Sequence, residues 1–231
     1  MSETQTKTEK QRSFKNMSIR FSIRMTYVLP PLDTIELIDI LVRTGYIRTA
    51  PPAPSGRQRG VQFAFTGSIA RKGDTIVDVN DERGVIGISS PSPASTIQGF
   101  NEVFQLIKSN LKVDPESMAS FYEFIGQCEV ESEHNPLEKI GQISEKVRAV
   151  EEFGKVIGKN ASLFSLRLAP KGETPNQTRW FDITIEPHLI HTTSVYTISV
   201  VYRSPDKPEV QKFVEEYLAN ITKILDIIEN P

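Results

Sequence analysis

The residues of this sequence that could carry chemistry are its histidines, its single cysteine, its glycines and its arginines. His188 and His191, with Glu186 just before them, have the residue types of a metal site. Residues three apart on a strand point to opposite faces, however, and no cysteine or acidic cluster completes a tetrahedral shell. The pattern therefore predicts a surface turn with two histidines and no bound metal.

The other catalytic candidates are also weak. Cys128 falls on the apolar side of an alternating segment, which is typical of a small buried hydrophobe and not of a nucleophile. Gly84 and Gly87 lie in a hairpin pattern and not between a strand and a helix, so they do not predict a phosphate-binding loop. We therefore expect a protein that is not an enzyme and needs no cofactor.

The composition is that of a soluble globular protein, with 231 residues, 38% hydrophobic and 24% charged. No apolar run reaches the roughly 18 to 20 residues that cross a bilayer, and the N-terminus carries no hydrophobic signal segment. A single cysteine also fits a reducing compartment. The expected location is intracellular, either cytoplasmic or nucleoid-associated, with no membrane partner.

Charge is divided unequally along the chain. Residues 1–115 hold 15 basic and 11 acidic side chains, a net charge of +4, whereas residues 116–231 hold 12 and 18, a net charge of −6. This asymmetry favours two halves that meet different partners, or that meet each other in an oligomer; drift of surface charge explains it equally well.

The elements that must position these residues begin after a polar, non-periodic segment, residues 1–16, which we expect to be a flexible tail. The first half then runs strand, helix, strands and helix. A strand covers residues 19–27; a helix follows Asp33 and ends near Gly45; a loop covers residues 50–60; strands cover residues 61–65, 75–79 and 85–88; and a long helix starts near Ser95.

The second half starts over at Ser120–Glu131 and repeats this order. A strand covers residues 122–130; a helix runs from Asn135 to Phe153 or beyond; strands cover residues 163–168, 180–186 and 195–202; and the last helix opens at Asp206. The pattern predicts an α+β fold built by internal duplication, with residues 17–115 and 116–231 as the two repeats.

Two stretches give this duplicated pattern a resemblance to a known family. Residues 72–90 read as strand, tight turn and strand before a long helix, and Met118–Glu131 falls where a second repeat would begin. In topology and spacing the chain, from residue 17 to about 230, resembles the TATA-box-binding protein family. That resemblance implies a saddle, with a curved antiparallel sheet and helices on its convex side.

The function of that family, binding and bending DNA, fits this sequence less well. On the strands that should bear aromatic wedges for the minor groove, the solvent-side positions are Asp78, Asn80, Asp182, Thr184 and Glu186. A DNA-reading face should also be basic throughout. The candidate nucleic-acid contacts lie in or near the first repeat: Arg20, Arg24, Arg57, Arg59, Arg71 and Lys72. The residues that oppose DNA are candidates for contacting a protein partner: Glu123, Gln127, Glu129, Asp182 and Glu186.

Three hypotheses for function follow from the sequence. The first is a binding protein whose polar, charge-split concave face, or whose convex helices, meet a protein partner or a second copy. The second is a nucleic-acid-binding, transcription-related protein that uses the basic first repeat. The third is a helix-grip domain with an apolar cavity for a small ligand, although the bulky residues of the long helices favour a filled core.

Overall fold

The computed structural model describes residues 12–26, 33–49 and 65–230. Its strands are β1 (Phe14–Met25), β2 (Ile47–Arg48), β3 (Thr66–Lys72), β4 (Thr75–Asn80), β5 (Val85–Ser90), β6 (Ala119–Glu131), β7 (Leu166–Leu168), β8 (Trp180–Pro187) and β9 (Val195–Ser204). Its α-helices are α1 (Thr34–Arg43), α2 (Pro93–Leu106), α3 (Pro136–Ser144), α4 (Arg148–Ile157) and α5 (Lys207–Glu229). These elements confirm the predicted α+β class.

The nine strands of the described residues form one antiparallel sheet in the order β2-β3-β4-β5-β1-β6-β9-β8-β7. The two long strands β1 and β6 are neighbours at its middle, where Phe21 lies opposite Phe124 and Arg24 lies opposite Phe121. The first and second halves of the chain are therefore joined by main-chain hydrogen bonds within a single sheet.

Alternation along residues 18–24 of β1 and the paired part of β6 gives the sheet two different faces, as the sequence predicts. Ile19, Phe21 and Ile23 of β1 are fully buried, whereas Arg20 and Arg24 point to the opposite side. We call that opposite side, which carries Arg20 and its register partners on the other strands, the polar face. Residues directly opposite one another in a sheet share a face, so the strand register defines the rest of its members.

The buried face packs against the helices through two groups of aromatic rings. Phe21 stacks on Phe100 of α2 with ring centroids 4.3 Å apart, and Phe100 stacks on Phe104 at 4.0 Å. In the second half, Phe124 and Tyr217 of α5 meet edge to face at 5.0 Å. Burial of each such ring stabilises the folded state by about 1.5 to 3 kcal/mol, because its apolar surface is removed from water. These rings fill the space between sheet and helices where a helix-grip ligand would sit.

Two helix starts that the sequence predicts are present with their capping hydrogen bonds. The Asp33 carboxylate accepts from the backbone N–H of Ile35 at 2.9 Å, and the Asn135 side chain accepts from the N–H of Glu138 at 3.3 Å. These bonds satisfy amide groups that have no partner inside the helix. The two helices therefore start at the positions set by their sequence.

The start of the fold differs from the expected boundary at Met17. Strand β1 begins at Phe14, and its register with β6 shifts between Lys15 and Ser18, where Asn16 adopts a left-handed conformation with φ of 48°. This irregularity lets Phe14 and Lys15 pair with Val130 and Glu129 of β6. Residues 12–16, which were predicted to belong to the tail, are therefore part of the fold, and residues 1–11 lie outside the described residues.

The single long helix predicted after Asn135 is wrong, because the structure breaks it into α3 and α4. The Ser144 side chain bonds back to the carbonyl of Gly141, and Val147 is extended with φ of −113° and ψ of 92°. A serine that bonds to the preceding turn, together with a nearby glycine, weakens a helix at this point. Strand β3, in the first half, also departs from the prediction.

Strand β3 was not predicted, because its residues show no period-two pattern. Its register with β4 shifts between Ser68 and Ala70, so that Ile69 and Ala70 are both buried, and this bulge removes the period-two alternation. The strand predicted over residues 61–65 falls almost entirely outside the described residues, and Phe65 directly precedes β3. Strands β4, β5, β8 and β9 lie where the sequence predicts them.

Candidate functional site on the polar face

Arg20 is the central cation of the polar face, and it is held by an aspartate two strands away. Its guanidinium donates to Asp78 of β4 from Nη2 to Oδ1 at 2.6 Å and from Nε to Oδ2 at 3.0 Å, and Nη1 donates to Ser22 at 3.0 Å. The side chain crosses β5 at Gly87, where an added Cβ would lie 2.5 Å from Nη2. Glycine therefore leaves the passage through which Arg20 reaches Asp78.

Glu123 is paired in a similar way on the other side of the sheet centre. Arg203 of β9 donates to its Oε2 from Nη2 at 2.5 Å and from Nε at 2.9 Å. A further bond runs from Arg203 Nη1 to the carbonyl of Pro175 at 2.9 Å, and the guanidinium carbon lies 4.5 Å from the centre of the Phe121 ring. The carboxylate of Glu123 is thus neutralised and fixed in position.

The remaining acidic candidates are partly neutralised as well. Asp182 accepts from Arg167 of β7 at 2.5 Å and 2.9 Å, and Glu129 accepts from the Asn16 side chain at 2.9 Å. Among the described residues, Gln127 and Glu186 make no side-chain hydrogen bond or ion pair. The acidic candidates therefore lie on one face, where arginines of the described chain balance the charges of Glu123 and Asp182 but not those of Glu129 and Glu186.

The basic candidates are not brought together into one patch. Arg24 and Arg71 lie on the polar face and, within the described part of the chain, pair with no carboxylate; Arg24 contacts the face of the Phe121 ring at 5.7 Å. Lys72 lies on the opposite, helix-covered side, where it binds Glu102 of α2 at 2.8 Å. Arg57 and Arg59 fall outside the described residues.

An apolar centre on the polar face was not predicted. Ile125 of β6 lies between Arg20 of β1 and Val201 of β9 in one register row. Ile76 of β4, 39% exposed, lies in the same row beyond Arg20 and Ser89. Ile125 stands between Glu123 and Gln127 at a position on the polar side of the strand, and this was the sequence feature that could have predicted the apolar centre. The polar face therefore combines short apolar rows with fixed ion pairs.

A second polar cluster, at the N-terminus of β1, was missed because its arginine was assigned to the tail. Arg12 donates to Glu229 of α5 at 2.7 Å and 3.1 Å and to Asp226 at 2.5 Å, and the Ser132 hydroxyl donates to Glu229 at 2.6 Å. Only 5% of the Glu229 side chain is exposed. The hydroxyl of Tyr196 is buried without a hydrogen-bond partner in the described structure. Arg12 thus ties the start of the sheet to the last turn of α5.

The histidines and the cysteine that were considered for catalysis or metal binding make contacts that support the fold. The His188 ring accepts at Nδ1 from the backbone N–H groups of Ile190 and His191 at 3.2 Å, as expected for a turn. Within residues 12–26, 33–49 and 65–230, no group of three or more His, Cys, Asp or Glu side chains could hold a metal ion. Cys128 is buried, as predicted; burial raises the pKa of its thiol, although the Tyr217 hydroxyl donates to its sulfur at 3.3 Å.

Comparisons with known proteins add no family to this description. No protein-family model matches the chain, and no curated protein sequence matches it. Across the residues that the structure describes, no helix has the length and apolar character needed to cross a bilayer.

A double-mutant cycle tests whether Gly87 is needed for the Arg20–Asp78 pair. Gly87→Ala forces the guanidinium away from Asp78, whereas in an Asp78→Ala background the same change meets no pair to break. We expect a coupling free energy of about 1 kcal/mol for this partly buried pair, measured by chemical denaturation of all four proteins. Additive effects within about 0.3 kcal/mol would contradict this role of Gly87.

The Arg12–Glu229 cluster should make stability depend on pH in the acidic range. Burial alone would raise the pKa of Glu229, but hydrogen bonds from Arg12 and Ser132 outweigh it and lower this pKa below 4.5. A carboxyl group whose pKa is lower in the folded state stabilises above its unfolded pKa, and this contribution is lost as the pH falls through the folded pKa. The difference in unfolding free energy between wild type and Glu229→Gln should therefore shrink from pH 7 to pH 3. If the unfolding free energies of the two proteins changed in parallel over this range, the prediction would be contradicted.

Proposed function

We propose that this chain is a non-enzymatic binding protein built on a duplicated saddle of the TATA-box-binding protein type, and that its polar face binds a protein partner. The order of elements supports the duplication. A strand, one or more helices, a series of strands and a long helix occur in the first half and again in the second. The sheet order is also symmetric about β1 and β6, with β5, β4 and β3 on one side and β9, β8 and β7 on the other.

The observation that carries the proposed partner class is the mutual neutralisation of charge on the polar face. A phosphate-binding surface keeps its cations free, because its affinity comes from pairing them with phosphates. Arg20 and Arg203 instead bind Asp78 and Glu123 on the same face. Of the predicted cations in the described residues, only Arg24 and Arg71 remain for a phosphate, and they lie on strands separated by β4 and β5.

The apolar rows between these ion pairs also favour a protein. Protein interfaces have an apolar core inside a polar rim, and their charged groups fix orientation more than they add affinity. Ile125 and Val201 lie at such a core position, with the Arg20 pair on one side and the Arg203 pair next to them along the strands. The pairs are fixed within the chain, so a partner would meet a surface that is already ordered.

Photo-crosslinking tests this proposal directly. A photoreactive side chain in place of Val201 is expected to trap a discrete protein adduct in an extract of the source cells. The same side chain in place of Glu215, on the exposed side of α5, is the control and should trap none. Arg203→Glu, which breaks the pair with Glu123, should remove the adduct while the circular dichroism spectrum is retained.

The competing result is binding of nucleic acid. Micromolar binding to short DNA duplexes that weakens steeply with salt, and that is lost in the joint variant Arg24→Glu and Arg71→Glu, would overturn the protein-partner proposal. Adducts of equal yield at Val201 and Glu215 would also overturn it, because the polar face would then have no preferred partner.

A further inference from the structure

Helix α4 is amphipathic, but the residues that the structure describes cover only part of its apolar side. Val150 and Gly154 are buried, and an added Cβ at Gly154 would lie 2.8 Å from the carbonyl oxygen of Lys159. The adjoining stripe is exposed: Phe153 and Ile157 are each 65% exposed, Val156 is 84% exposed, and Ala149 completes the row. Positions 149, 153 and 156 follow the four-and-three spacing of a helix-packing seam.

This helix is also an addition to the pattern shared by the two halves. In the described residues of the first half, α1 alone lies between β1 and β2, whereas α3 and α4 both lie between β6 and β7. Neither Phe153 nor Val156 contributes to the buried core. Within residues 12–26, 33–49 and 65–230, the packing of a single copy therefore does not cover the exposed stripe.

The charges beside the stripe indicate what covers it. The polar side of α4 carries two basic and two acidic residues, Arg148, Glu151, Glu152 and Lys155, so the helix has no net charge. An anionic membrane surface or a nucleic acid would select a mostly basic polar side. The order of these charges is the same in both directions, so a second copy running antiparallel meets opposite charges when its register is shifted to bring Glu152 of one helix next to Lys155 of the other.

We propose that two copies of the chain associate through an antiparallel α4 pair about a twofold axis. Phe153 of each copy packs beside Val156 of the other, and Glu152 of each lies next to Lys155 of the other. Lys155 already approaches Glu151 at 2.8 Å and Glu152 at 3.1 Å within its own helix, so its ammonium group is positioned on the same side as the acidic residues. The interface is isologous, which is the commonest form of a soluble dimer.

Sedimentation of the whole chain tests the pair. Because the seam is short, we expect dimers with a dissociation constant of about 1 to 100 µM. Phe153→Glu should raise this constant at least about 100-fold, because a twofold interface loses the side chain twice. Ile227→Glu, at a 70% exposed position on α5, is the matched control and should leave the dimer unchanged.

A charge exchange keeps the test valid if Phe153→Glu disturbs folding. Glu152→Lys and Lys155→Glu should each weaken the dimer about tenfold, and the double variant should restore it, since the exchange recreates the pairing between copies. Wild-type chain that stays monomeric at about 100 µM would overturn the proposal. A dimer whose dissociation constant is unchanged by Phe153→Glu would also overturn it. Binding of a monomeric chain to anionic vesicles through α4 would do the same.

Discussion

Arg12→Ala is expected to lower the free energy of unfolding by about 3 kcal/mol at pH 7, although Arg12 lies only two residues before the first strand. The change leaves the Glu229 carboxylate, 5% exposed, without the guanidinium that binds both of its oxygens. Removing one member of a buried ion pair leaves an uncompensated charge, which is more costly than losing a surface pair. The loss should be measurable by chemical denaturation.

Two comparisons separate this ion pair from a general effect of the N-terminal segment. Lys15→Ala removes an exposed pair with Glu131 and should leave stability close to that of wild type. In a Glu229→Gln background, Arg12→Ala should have a smaller effect, since no buried carboxylate remains to be neutralised. Equal losses for Arg12→Ala and Lys15→Ala would show that the effect belongs to the N-terminal segment in general and not to the Arg12–Glu229 pair.

Phe100→Ala should have the largest effect of any single truncation considered, a loss of about 3 to 5 kcal/mol. The ring is fully buried and stacked between Phe21 of β1 and Phe104 of its own helix, and the Lys207 ammonium lies 5.1 Å from its centre. Its removal leaves a cavity where the first strand, α2 and the start of α5 meet. Chemical denaturation measures the loss.

The size of the cavity can be separated from other effects of this change. Phe100→Leu keeps much of the volume and should cost clearly less than Phe100→Ala. Leu189→Ala, at a 78% exposed position in the turn after β8, should change stability by no more than about 0.5 kcal/mol. A similar loss for Phe100→Leu and Phe100→Ala would indicate that ring stacking, and not cavity volume, controls the energy.

Local features of this fold could be predicted because they depend on neighbours in sequence. The alternation around Phe21 and Phe124 identified two strands and their buried sides, and Asp33 and Asn135 marked helix starts. These signals fail where an irregularity interrupts the period. The bulge before Ala70 and the helix break before Val147 are examples.

The chemistry of the polar face could not be predicted, because it depends on which strands become neighbours. Arg20 and Asp78 are 58 positions apart, and Glu123 and Arg203 are 80 apart. Arg20, Asp78 and Glu123 were assigned to the correct side of their strands and Arg203 was not assigned at all, but the sequence does not show that opposite charges lie within reach. A row of arginines that predicts a phosphate site thus becomes, in the folded sheet, part of a set of internal ion pairs.

The pairing of β1 with β6 also determines how this chain can fold. It joins residues about 100 positions apart, such as Ser22 and Glu123, across strands of 12 and 13 residues. Closing such a distant contact is entropically costly, so we expect slow folding in one cooperative transition. Either half synthesised alone would expose a long unpaired strand edge, which is a template for aggregation. The two halves therefore depend on each other for solubility as well as for structure.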